Sequence, residues 1–329
     1  MAILVTGGAG YIGAHMVLEL LDAGEEVVVL DNLSTGFRWA VPDKVEFVLG
    51  DFGDAALLSE LLRRRKVDAI VHFAAKIVVP ESVADPLGYY ENNTAKARTL
   101  IECAVKAGVP RFIFSSTAAV YGDPTVNPVT EDERLKPMSP YGRSKLMVEW
   151  MLEDTDRAHG LRSVVLRYFN VCGADPSGRS GQSTRNATHL IKVAVQSALG
   201  SRPGMEVFGS DYPTPDGTCL RDYIQVTDLV RAHMDALAYL RAGGETLVCN
   251  VGYQRGYSVL EVIEAVKTAS GVDFPVKMAE RRPGDPAAIV AANARVRQML
   301  GWRPKFDDLD AIVRQALDWE RRLHNRGLG

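Results

Sequence analysis

The first half of the chain alternates short, continuous apolar runs with stretches in which apolar residues recur every three or four positions. An uninterrupted run of about five apolar residues is typical of a strand that is covered on both faces, and the three-to-four spacing is typical of an amphipathic helix. This alternation predicts an α/β fold, a doubly wound parallel sheet with helices on both faces. The predicted strands are residues 2–6, 26–31, 45–49, 67–73, 111–116 and 162–167, and the predicted helices are residues 11–23, 54–65, 94–107 and 140–159.

From about residue 170 this regular alternation stops. Glycine, serine and proline are dense in residues 173–183 and 209–218, which indicates loops. We therefore expect two domains, residues 1–170 and a smaller mixed substrate domain of residues 171–329 that covers the carboxyl ends of the strands, with some elements crossing back. Further helices are predicted for residues 227–242, 258–270 and 307–324.

The composition excludes several classes of function. The chain has 329 residues, of which 47% are hydrophobic and 24% charged, and its net charge is −3. Without a dense Lys/Arg run, this charge argues against nucleic acid or a membrane as partner. No apolar stretch approaches about 18 residues and the sequence begins directly in a strand, so we expect a soluble cytoplasmic protein. The four cysteines are far apart and no metal-ligand spacing occurs, which predicts reduced thiols and no metal.

A glycine-rich turn, VTGGAGYIG, follows the first predicted strand and opens the first helix. Gly7, Gly10 and Gly13 permit a tight turn, let the backbone approach a pyrophosphate, and place that anion at a helix N-terminus. Asp31 ends the second strand at about the 20-residue spacing at which a carboxylate binds the ribose hydroxyls and repels a 2′-phosphate. The sequence therefore predicts a Rossmann-like site for NAD. Asp51, after the third strand, is interpreted either as a partner of adenine or as a helix N-cap.

A tyrosine and a lysine four residues apart begin the last helix of this half, in the sequence SPYGRSK. Residues at this spacing share one face of a helix, so Tyr141 and Lys145 can act together. Ser115, Ser116 and Thr117 end the fifth strand, at the sheet edge where such folds bind ligands. A neighbouring ammonium and a cationic nicotinamide favour the phenolate of Tyr141, which then serves as a base near neutral pH. Taken alone, the pair would more often be a packed tyrosine beside a solvated lysine, so the catalytic interpretation depends on the rest of the chain.

The glycine turn, the Ser/Thr after the fifth strand and the YxxxK pair resemble the extended short-chain dehydrogenase/reductase family. The strings HFAA, SSTAAVYG, LRYFN, RDYI and RRPGD, in this order, are similar to those of its UDP-sugar 4-epimerases. The resemblance implies a tightly held NAD and a UDP-sugar substrate, with Thr117 bonding O4, Tyr141 taking its proton and Lys145 holding the nicotinamide ribose. It implies that the C4 hydride passes to NAD and returns to the other face of a 4-ketose, which interconverts UDP-glucose and UDP-galactose.

The same resemblance assigns binding residues and a partner. It implies a homodimer formed through the helices at 94–107 and 140–159. Arginines among the assigned residues suit a pyrophosphate, since they bind it bidentately. The implied contacts to NAD are Gly7, Gly10, Tyr11, Ile12, Gly13, Asp31, Asn32, Asp51, Phe52, Phe73, Ala74, Ala75, Asn93, Ser115, Tyr141, Lys145 and Tyr168. The implied contacts to the nucleotide sugar are Thr117, Tyr141, Asn170, His189, Arg221, Arg282, Asp285 and Ile289.

The chain departs from the family pattern at three positions. Ile77 stands where some relatives carry a lysine near the sugar, and His189 stands where several have an asparagine. Ile289 falls at the position whose side chain limits the room around the sugar. Two alternatives remain for the basic motifs, since Arg221 could pair with Asp222 and RRPGD could be only a turn.

Other functions on this fold remain open. They are a UDP-pentose or UDP-N-acetylhexosamine 4-epimerase, a nucleotide-sugar 4,6-dehydratase, and a non-catalytic NAD-sensing module. A dehydratase needs an acid and a base after the strand-end threonine, where this chain has Ala118 and Ala119. A sensing module is favoured by loss of the tyrosine or lysine, and both are present. We therefore expect an isomerase.

Overall fold

A computed structural model describes residues 1–282 and 284–326. One-turn 3₁₀ helices occupy Arg38–Ala40 and Ala118–Val120, and a π turn at Glu91–Ala95 leads into a longer helix. The strands are β1 Ala2–Thr6, β2 Val27–Asp31, β3 Glu46–Leu49, β4 Val67–His72, β5 Arg111–Thr117, β6 Arg162–Tyr168, β7 Asn170–Cys172, β8 Met205–Phe208, β9 Leu220–Gln225, β10 Leu247–Val251, β11 Gly256–Ser258, β12 Val276–Ala279 and β13 Ala288–Ile289. The helices are α1 Tyr11–Asp22, α2 Ala55–Arg64, α3 Val79–Ala84, α4 Pro86–Tyr90, α5 Lys96–Lys106, α6 Pro140–His159, α7 Leu190–Ala198, α8 Val226–Arg241, α9 Val259–Ser270, α10 Ala294–Leu300 and α11 Leu309–Asn325.

A seven-stranded parallel sheet in the order β10-β6-β5-β4-β1-β2-β3 forms the centre of the fold. Successive residues of β1 enter different cores, since Ile3 packs beneath α1 and α8 while Leu4 packs beneath α2 and α5. Both faces of the sheet are therefore covered, which is why its central strands are continuously apolar. The predicted doubly wound α/β fold is confirmed, and each of the six predicted strands begins and ends within one residue of its prediction.

The seventh strand of this sheet, β10, comes from beyond residue 170 and pairs with β6. Helix α8 also returns, and it packs against α1 on one face of the sheet. The chain therefore crosses the expected boundary between residues 1–170 and 171–329, and the two parts share a core in which Val5 and Leu237 belong to the same cluster.

Short strands from the later part of the chain form two further sheets. Strand β9 pairs with β7, β11 and β13, and β12 pairs with β8. Strand β7 begins two residues after β6 ends, so the small sheet lies at the carboxyl edge of the large one. The later residues are thereby placed where ligands of open α/β sheets bind.

Two observations bear on the expected surroundings of the protein. Within the described ranges, no helix is both long and apolar enough to cross a membrane. The four cysteines are buried as free thiols: Cys103, Cys172, Cys219 and Cys249.

Candidate active site

The glycine turn between β1 and α1 is too tight for side chains. Gly7 has φ of +73°, and a Cβ at Gly13 would lie 2.1 Å from the carbonyl oxygen of Gly7. The backbone of Gly7 also contacts the loop after β4, where a Cβ would lie 2.7 Å from the nitrogen of Ala74. Helix α1 begins at Tyr11 and Ile12 without a side-chain cap, so its first N–H groups face the turn. This geometry suits an anion approached by backbone alone.

Gly13→Ala is expected to destabilise the fold by about 3 kcal/mol, since its methyl group cannot avoid the carbonyl of Gly7. Gly10→Ala is the matched variant, because its Cβ would lie 3.2 Å from the same oxygen and its φ is negative. It should cost much less stability than Gly13→Ala and lower the amount of NAD that copurifies. Chemical denaturation and nucleotide content separate the two effects, and wild-type stability of Gly13→Ala would contradict the steric argument.

Asp31, at the end of β2, braces the glycine turn. Its carboxylate accepts hydrogen bonds from the N–H groups of Ala9 at 2.9 Å and Leu33 at 2.8 Å. A carboxylate has about four acceptor positions, so capacity for ribose hydroxyls remains. Asn32 follows directly, and its side-chain amide faces Asp51 at 3.4 Å.

Asp51 is not the N-cap of the next helix. That role belongs to Asp54, whose side chain accepts hydrogen bonds from two N–H groups in the first turn of α2. Asp51 instead accepts a 2.7 Å hydrogen bond from the ammonium of Lys96 and one from the N–H of Gly53, next to Phe52. Burial raises the pKa of Asp51, but these bonds outweigh burial and the pKa lies below its usual value. The N-cap alternative was therefore wrong, and Asp51 stands as a carboxylate at the strand edge.

Asn93 ties the loop after β4, which contains Phe73, Ala74 and Ala75, to helix α6. Its side chain bonds both the N–H and the carbonyl of Lys76 at 2.9 Å and donates to the hydroxyl of Ser144 at 3.1 Å. The ammonium of Lys76 turns outward toward the carboxylates of Glu81 and Asp85. Lys76 therefore does not replace the lysine that some relatives carry at the next position.

Helix α6 delivers Tyr141 and Lys145 to the end of β5. Its start is fixed by Ser139, whose hydroxyl accepts the N–H of Gly142 at 3.2 Å, and by proline at the first helical position. Lys145 is 3% exposed, and its ammonium donates to the carbonyl oxygen of Ser115 at 2.9 Å. Thr117, the last residue of β5, lies beside the phenol of Tyr141. The structure thus brings the three residues assigned to catalysis to one sheet edge.

Burial sets the titration of this pair. It raises the pKa of Tyr141 above its usual value, with the neighbouring Thr117 opposing the rise. It also lowers the pKa of Lys145 to about 7, with Glu149 opposing the fall. The expectation that Lys145 makes Tyr141 acidic is therefore not met by the protein's own groups, because burial is the largest influence on the pKa of Tyr141 and Thr117, not Lys145, opposes it.

Ser115 and Tyr168 close this edge of the sheet from the side of α8. The Nδ1 of His233 lies 3.0 Å from the carbonyl of Leu229 and its Nε2 lies 3.3 Å from the hydroxyl of Ser115. Since the carbonyl can only accept, Nδ1 carries the proton and Ser115 donates to Nε2. Burial lowers the pKa of His233 to about 4, which keeps it neutral. Tyr168 ends β6 opposite Thr117.

Several of the residues assigned to the nucleotide sugar lie on the smaller sheets or in the loop between β12 and β13. Arg221 lies on β9 next to Ile289 on β13, and its guanidinium is 3.7 Å from the carboxylate of Asp285. The guanidinium of Arg282 stacks 3.7 Å from the ring centre of Phe208. In RRPGD, Asp285 donates its N–H to the carbonyl of Arg282 at 3.3 Å, as in a turn, while Pro283 lies outside the described residues.

Arg221 does not pair with Asp222, so that alternative was wrong. Asp222 is buried and its carboxylate accepts the N–H groups of Tyr253 at 2.9 Å, Gln254 at 3.0 Å and Ala291 at 3.2 Å. Adjacent strand residues point to opposite faces, which leaves Arg221 on the other side of β9.

Asn170 and His189 line a small cavity between β7, β9, α7 and α11. His189 immediately precedes α7, and its Nδ1 lies 2.7 Å from the side-chain amide of Gln182. Burial lowers the pKa of His189 below its usual value. At neutral pH this position therefore presents a neutral hydrogen-bonding ring.

Known proteins similar to this chain share its sequence over nearly the whole length. The family described as NAD dependent epimerase/dehydratase matches residues 3–252. The chain belongs to this NAD-dependent epimerase/dehydratase family. It is 57% identical over 321 residues to the UDP-glucose 4-epimerase of Azospirillum brasilense, covering 98% of this chain and 92% of that protein. The family membership predicted from the sequence motifs is confirmed.

Solved structures from the epimerase/dehydratase family match the fold closely. The UDP-glucose 4-epimerase from Brucella ovis in complex with NAD superposes with a TM-score of 0.94 at 44% identity, covering 96% of this chain and 97% of that chain. The UDP-Glc/GlcNAc 4-epimerase from Campylobacter jejuni has a TM-score of 0.86 at 48% identity, covering 98% and 99%.

The residues fit the cofactor on which this epimerase/dehydratase family depends. The glycine turn leaves no room for a side chain between the backbone and the start of α1. Lys145 is buried, and among the described residues its ammonium bonds one carbonyl, so its remaining donors suit ribose hydroxyls at the same edge. Asp31 retains acceptor capacity for the other ribose. The carboxyl edge of β1, β2, β4 and β5 therefore carries groups that suit NAD.

A buried ionic cluster behind α6 was missed by the sequence reasoning. Glu149 binds the guanidinium of Arg167 at 2.6 Å and accepts a short hydrogen bond from Ser116. Arg167 also donates to the hydroxyl of Tyr121 at 3.1 Å. One sequence signal could have found Glu149, since it stands four residues after Lys145 and shares its helix face.

Proposed function

We propose that the protein is an NAD-dependent 4-epimerase that interconverts UDP-glucose and UDP-galactose through a transient 4-keto intermediate. The observation that carries this proposal is the convergence of Thr117, Tyr141 and Lys145 at the edge that also holds the glycine turn. A hydroxyl, a phenol and a buried ammonium can orient an alcohol and remove its proton. The close epimerase relatives support the same reaction.

Each group has a role in this reaction. Thr117 bonds the sugar O4, and Tyr141 takes the O4 proton and later returns it. Lys145 holds the nicotinamide ribose in place. NAD, when bound, supplies a hydride acceptor and a positive charge. A cation in the site favours the phenolate, which Tyr141 requires because burial alone raises its pKa.

The later part of the chain holds the nucleotide sugar. Arg221 and Arg282 offer guanidinium groups for the diphosphate, and Asp285 beside Arg221 keeps that cation oriented. Asn170 and His189 offer neutral hydrogen bonds at the neighbouring cavity. These groups all bind the nucleotide part of the substrate, so UDP can stay in place while the sugar ring turns over.

A nucleotide-sugar 4,6-dehydratase is disfavoured by the turn after β5. Ala118 and Ala119 form the start of a 3₁₀ turn directly after Thr117. Their methyl groups can neither donate nor accept the protons that elimination requires. The same turn is no obstacle to epimerisation, which needs a single base at O4.

A UDP-N-acetylhexosamine is a second candidate substrate, favoured by Ile289 and by the similarity to the Campylobacter jejuni enzyme. Ile289 is 6% exposed and packs in one cluster with Ala118 and Phe169. Ala118 directly follows Thr117 in the chain and Phe169 directly precedes Asn170, and both of these neighbours are assigned to the nucleotide-sugar site. A branched aliphatic side chain there takes less volume than an aromatic one.

Ile289→Tyr is therefore expected to lower activity on the N-acetyl sugar more than activity on the hexose. Ile289→Leu is the control, since it keeps the volume nearly constant. The thermal unfolding temperature of both variants shows how much the larger ring destabilises this buried cluster. Equal losses on both sugars would show that Ile289 does not limit the sugar pocket.

We also propose a homodimer formed through α5 and α6. Trp150 on α6 is 53% exposed and Leu87 on the adjacent α4 is 78% exposed, which is unusual for side chains of this size. Light scattering should give twice the chain mass, and Trp150→Glu should give a monomer. Met278→Glu, at an exposed residue of the distant strand β12, should remain dimeric.

The four buried thiols suit a cytoplasmic location.

Incubation with a panel of UDP-sugars, followed by NMR of the products, tests the proposed function. UDP-galactose should be converted to UDP-glucose by inversion at C4 alone. No NAD needs to be added, because the cofactor is not consumed. UDP-pentoses and UDP-N-acetylhexosamines in the same panel define the range. A protein that converts none of these sugars would contradict the proposal.

A further inference from the structure

Glu149 is a buried carboxylate in α6 to which the reaction described above gives no role. It is 6% exposed and lies one helical turn after Lys145. The Nη2 group of Arg167 donates to one oxygen of Glu149 at 2.6 Å, and its Nε group lies 3.1 Å from both oxygens. The hydroxyl of Ser116 also donates to this carboxylate. A carboxylate with this many charge-assisted bonds has little freedom to move.

The partners of Glu149 stand at the ends of the two strands that form the site. Ser116 on β5 and Arg167 on β6 are neighbours in the strand register, and the next pair in that register is Thr117 with Tyr168. Glu149 therefore attaches α6 to both strands one residue before they reach the candidate active site. A helix held at this point has its rotation and its height above the sheet fixed.

Arg167 is itself immobilised from the other side. It donates to the hydroxyl of Tyr121 at 3.1 Å and to the carbonyl of Glu131 at 3.4 Å. Tyr121 in turn donates to the side chain of Asn250 at 2.6 Å. The hydrogen bonds that hold α6 thus continue through β6 to β10, the edge strand of the large sheet.

We propose that Glu149 is a positioning residue for the reaction: its carboxylate, held by Arg167 and Ser116, fixes Tyr141 and Lys145 over the sheet edge and keeps Lys145 cationic. This inference rests on the proposed 4-epimerase function for its consequence in turnover. The electrostatic part concerns the folded protein alone.

The charge on Lys145 depends on few groups. Burial lowers its pKa to about 7, and Glu149 is the group that opposes this fall. Loss of the carboxylate leaves the Arg167 cation unbalanced, so the pKa of Lys145 falls further and the ammonium is lost at lower pH. The titratable and charged groups that face Lys145 are Tyr141 and Glu149 on its own helix, Arg167 and Tyr168 on β6, His72 on β4 and His233 on α8.

Two variants shift this balance in opposite directions. Glu149→Gln keeps the shape and removes the negative charge, so the pKa of Lys145 should fall by about one unit. Arg167→Met removes the positive charge and leaves the carboxylate, so the pKa of Lys145 should rise. Both break the same ion pair, and damage to packing alone would move the pKa in the same direction in both. If Arg167→Met does not fold, Glu149→Gln decides alone, because loosened packing would rehydrate Lys145 and raise its pKa instead of lowering it.

The measurement is a pH titration of the ¹³Cε signal of Lys145 in protein labelled at lysine, with Lys145→Met to assign the signal. Glu131→Gln is the control, since Glu131 is a buried carboxylate that contacts Asn250 and not α6. It should leave the pKa of Lys145 unchanged. This titration needs no substrate, so it is independent of the proposed function.

The pH profile of turnover gives the second readout. Glu149→Gln should lose activity on the alkaline side about one pH unit earlier, which lowers kcat about tenfold above that limb, while KM for the UDP-sugar stays constant. An unchanged pKa of Lys145 in Glu149→Gln, or shifts of equal sign in both variants, overturns the proposal. Wild-type protein without activity on any UDP-sugar would instead overturn the proposed function and leave the titration result valid.

Discussion

Tyr141→Phe is expected to lower kcat at least about 100-fold at neutral pH, because it removes the oxygen that takes the O4 proton and leaves the ring in place. Binding of the UDP-sugar should survive, since the nucleotide is held by residues of the smaller sheets. Steady-state kinetics give kcat, and calorimetry gives the dissociation constant of the UDP-sugar.

Tyr89→Phe is the matched control for this change. Tyr89 is a buried tyrosine on the neighbouring α4, and its hydroxyl binds the backbone of Val78 at 2.8 Å. It should lose about 1 kcal/mol of stability and keep its turnover. If Tyr141→Phe retains near-normal activity at neutral pH, then Tyr141 is not the base, and its pairing with Lys145 is a feature of packing.

Six of the seven strands of the large sheet were predictable because their signals are local, whereas β10 was not predicted. Strand β1 is apolar at every residue, and α6 carries its own start signal in Ser139 and Pro140. The placement of Tyr141 beside Lys145 follows from helix geometry alone. Such features depend on residues within a few positions of one another, so the sequence encodes them directly.

The small sheets were not predicted, because most of their strands have only two to four residues and β9, with six, has the mixed sequence LRDYIQ without a continuous apolar run. Strand β13 has two residues, and β7 has three. Asp222 on β9 illustrates the same limit, since its partners Tyr253 and Ala291 are distant in sequence. The opposite orientation of Arg221 could have been predicted once a strand was recognised there.

Electrostatic properties were the least accessible from the sequence. The raised pKa of Tyr141 and the lowered pKa of Lys145 both result from burial, which depends on the packing of α6 against the sheet. The N-cap role of Asp54 in place of Asp51 is a smaller case, decided by where α2 begins. Charged residues that are close in sequence therefore account for only part of the pKa shifts in the folded protein.

The fate of hydrogen separates an epimerase from a dehydratase. Tyr141 exchanges its hydroxyl proton with water, and in the proposed reaction only the O4 proton passes through it. The C4 hydrogen leaves and returns as hydride, which does not exchange with solvent. A dehydratase must remove the C5 proton and deliver a solvent-derived hydrogen to C6. Ala118 and Ala119, the first residues after β5, provide no group for either step.

Turnover of UDP-galactose in deuterated water is therefore expected to place no deuterium on carbon. The reaction is run to equilibrium, and C4, C5 and C6 of the sugar are examined by NMR and mass spectrometry. A sample without protein serves as the control for exchange that does not depend on the enzyme, and Tyr141→Phe as the control for exchange that does not depend on the Tyr141 hydroxyl. A UDP-glucose product that keeps its original C4 hydrogen supports the 4-epimerase, because the hydride then stayed within the site throughout. Deuterium at C5 or C6, or a 4-keto-6-deoxy product, would show that this site performs elimination and that a base other than Tyr141 acts on the sugar.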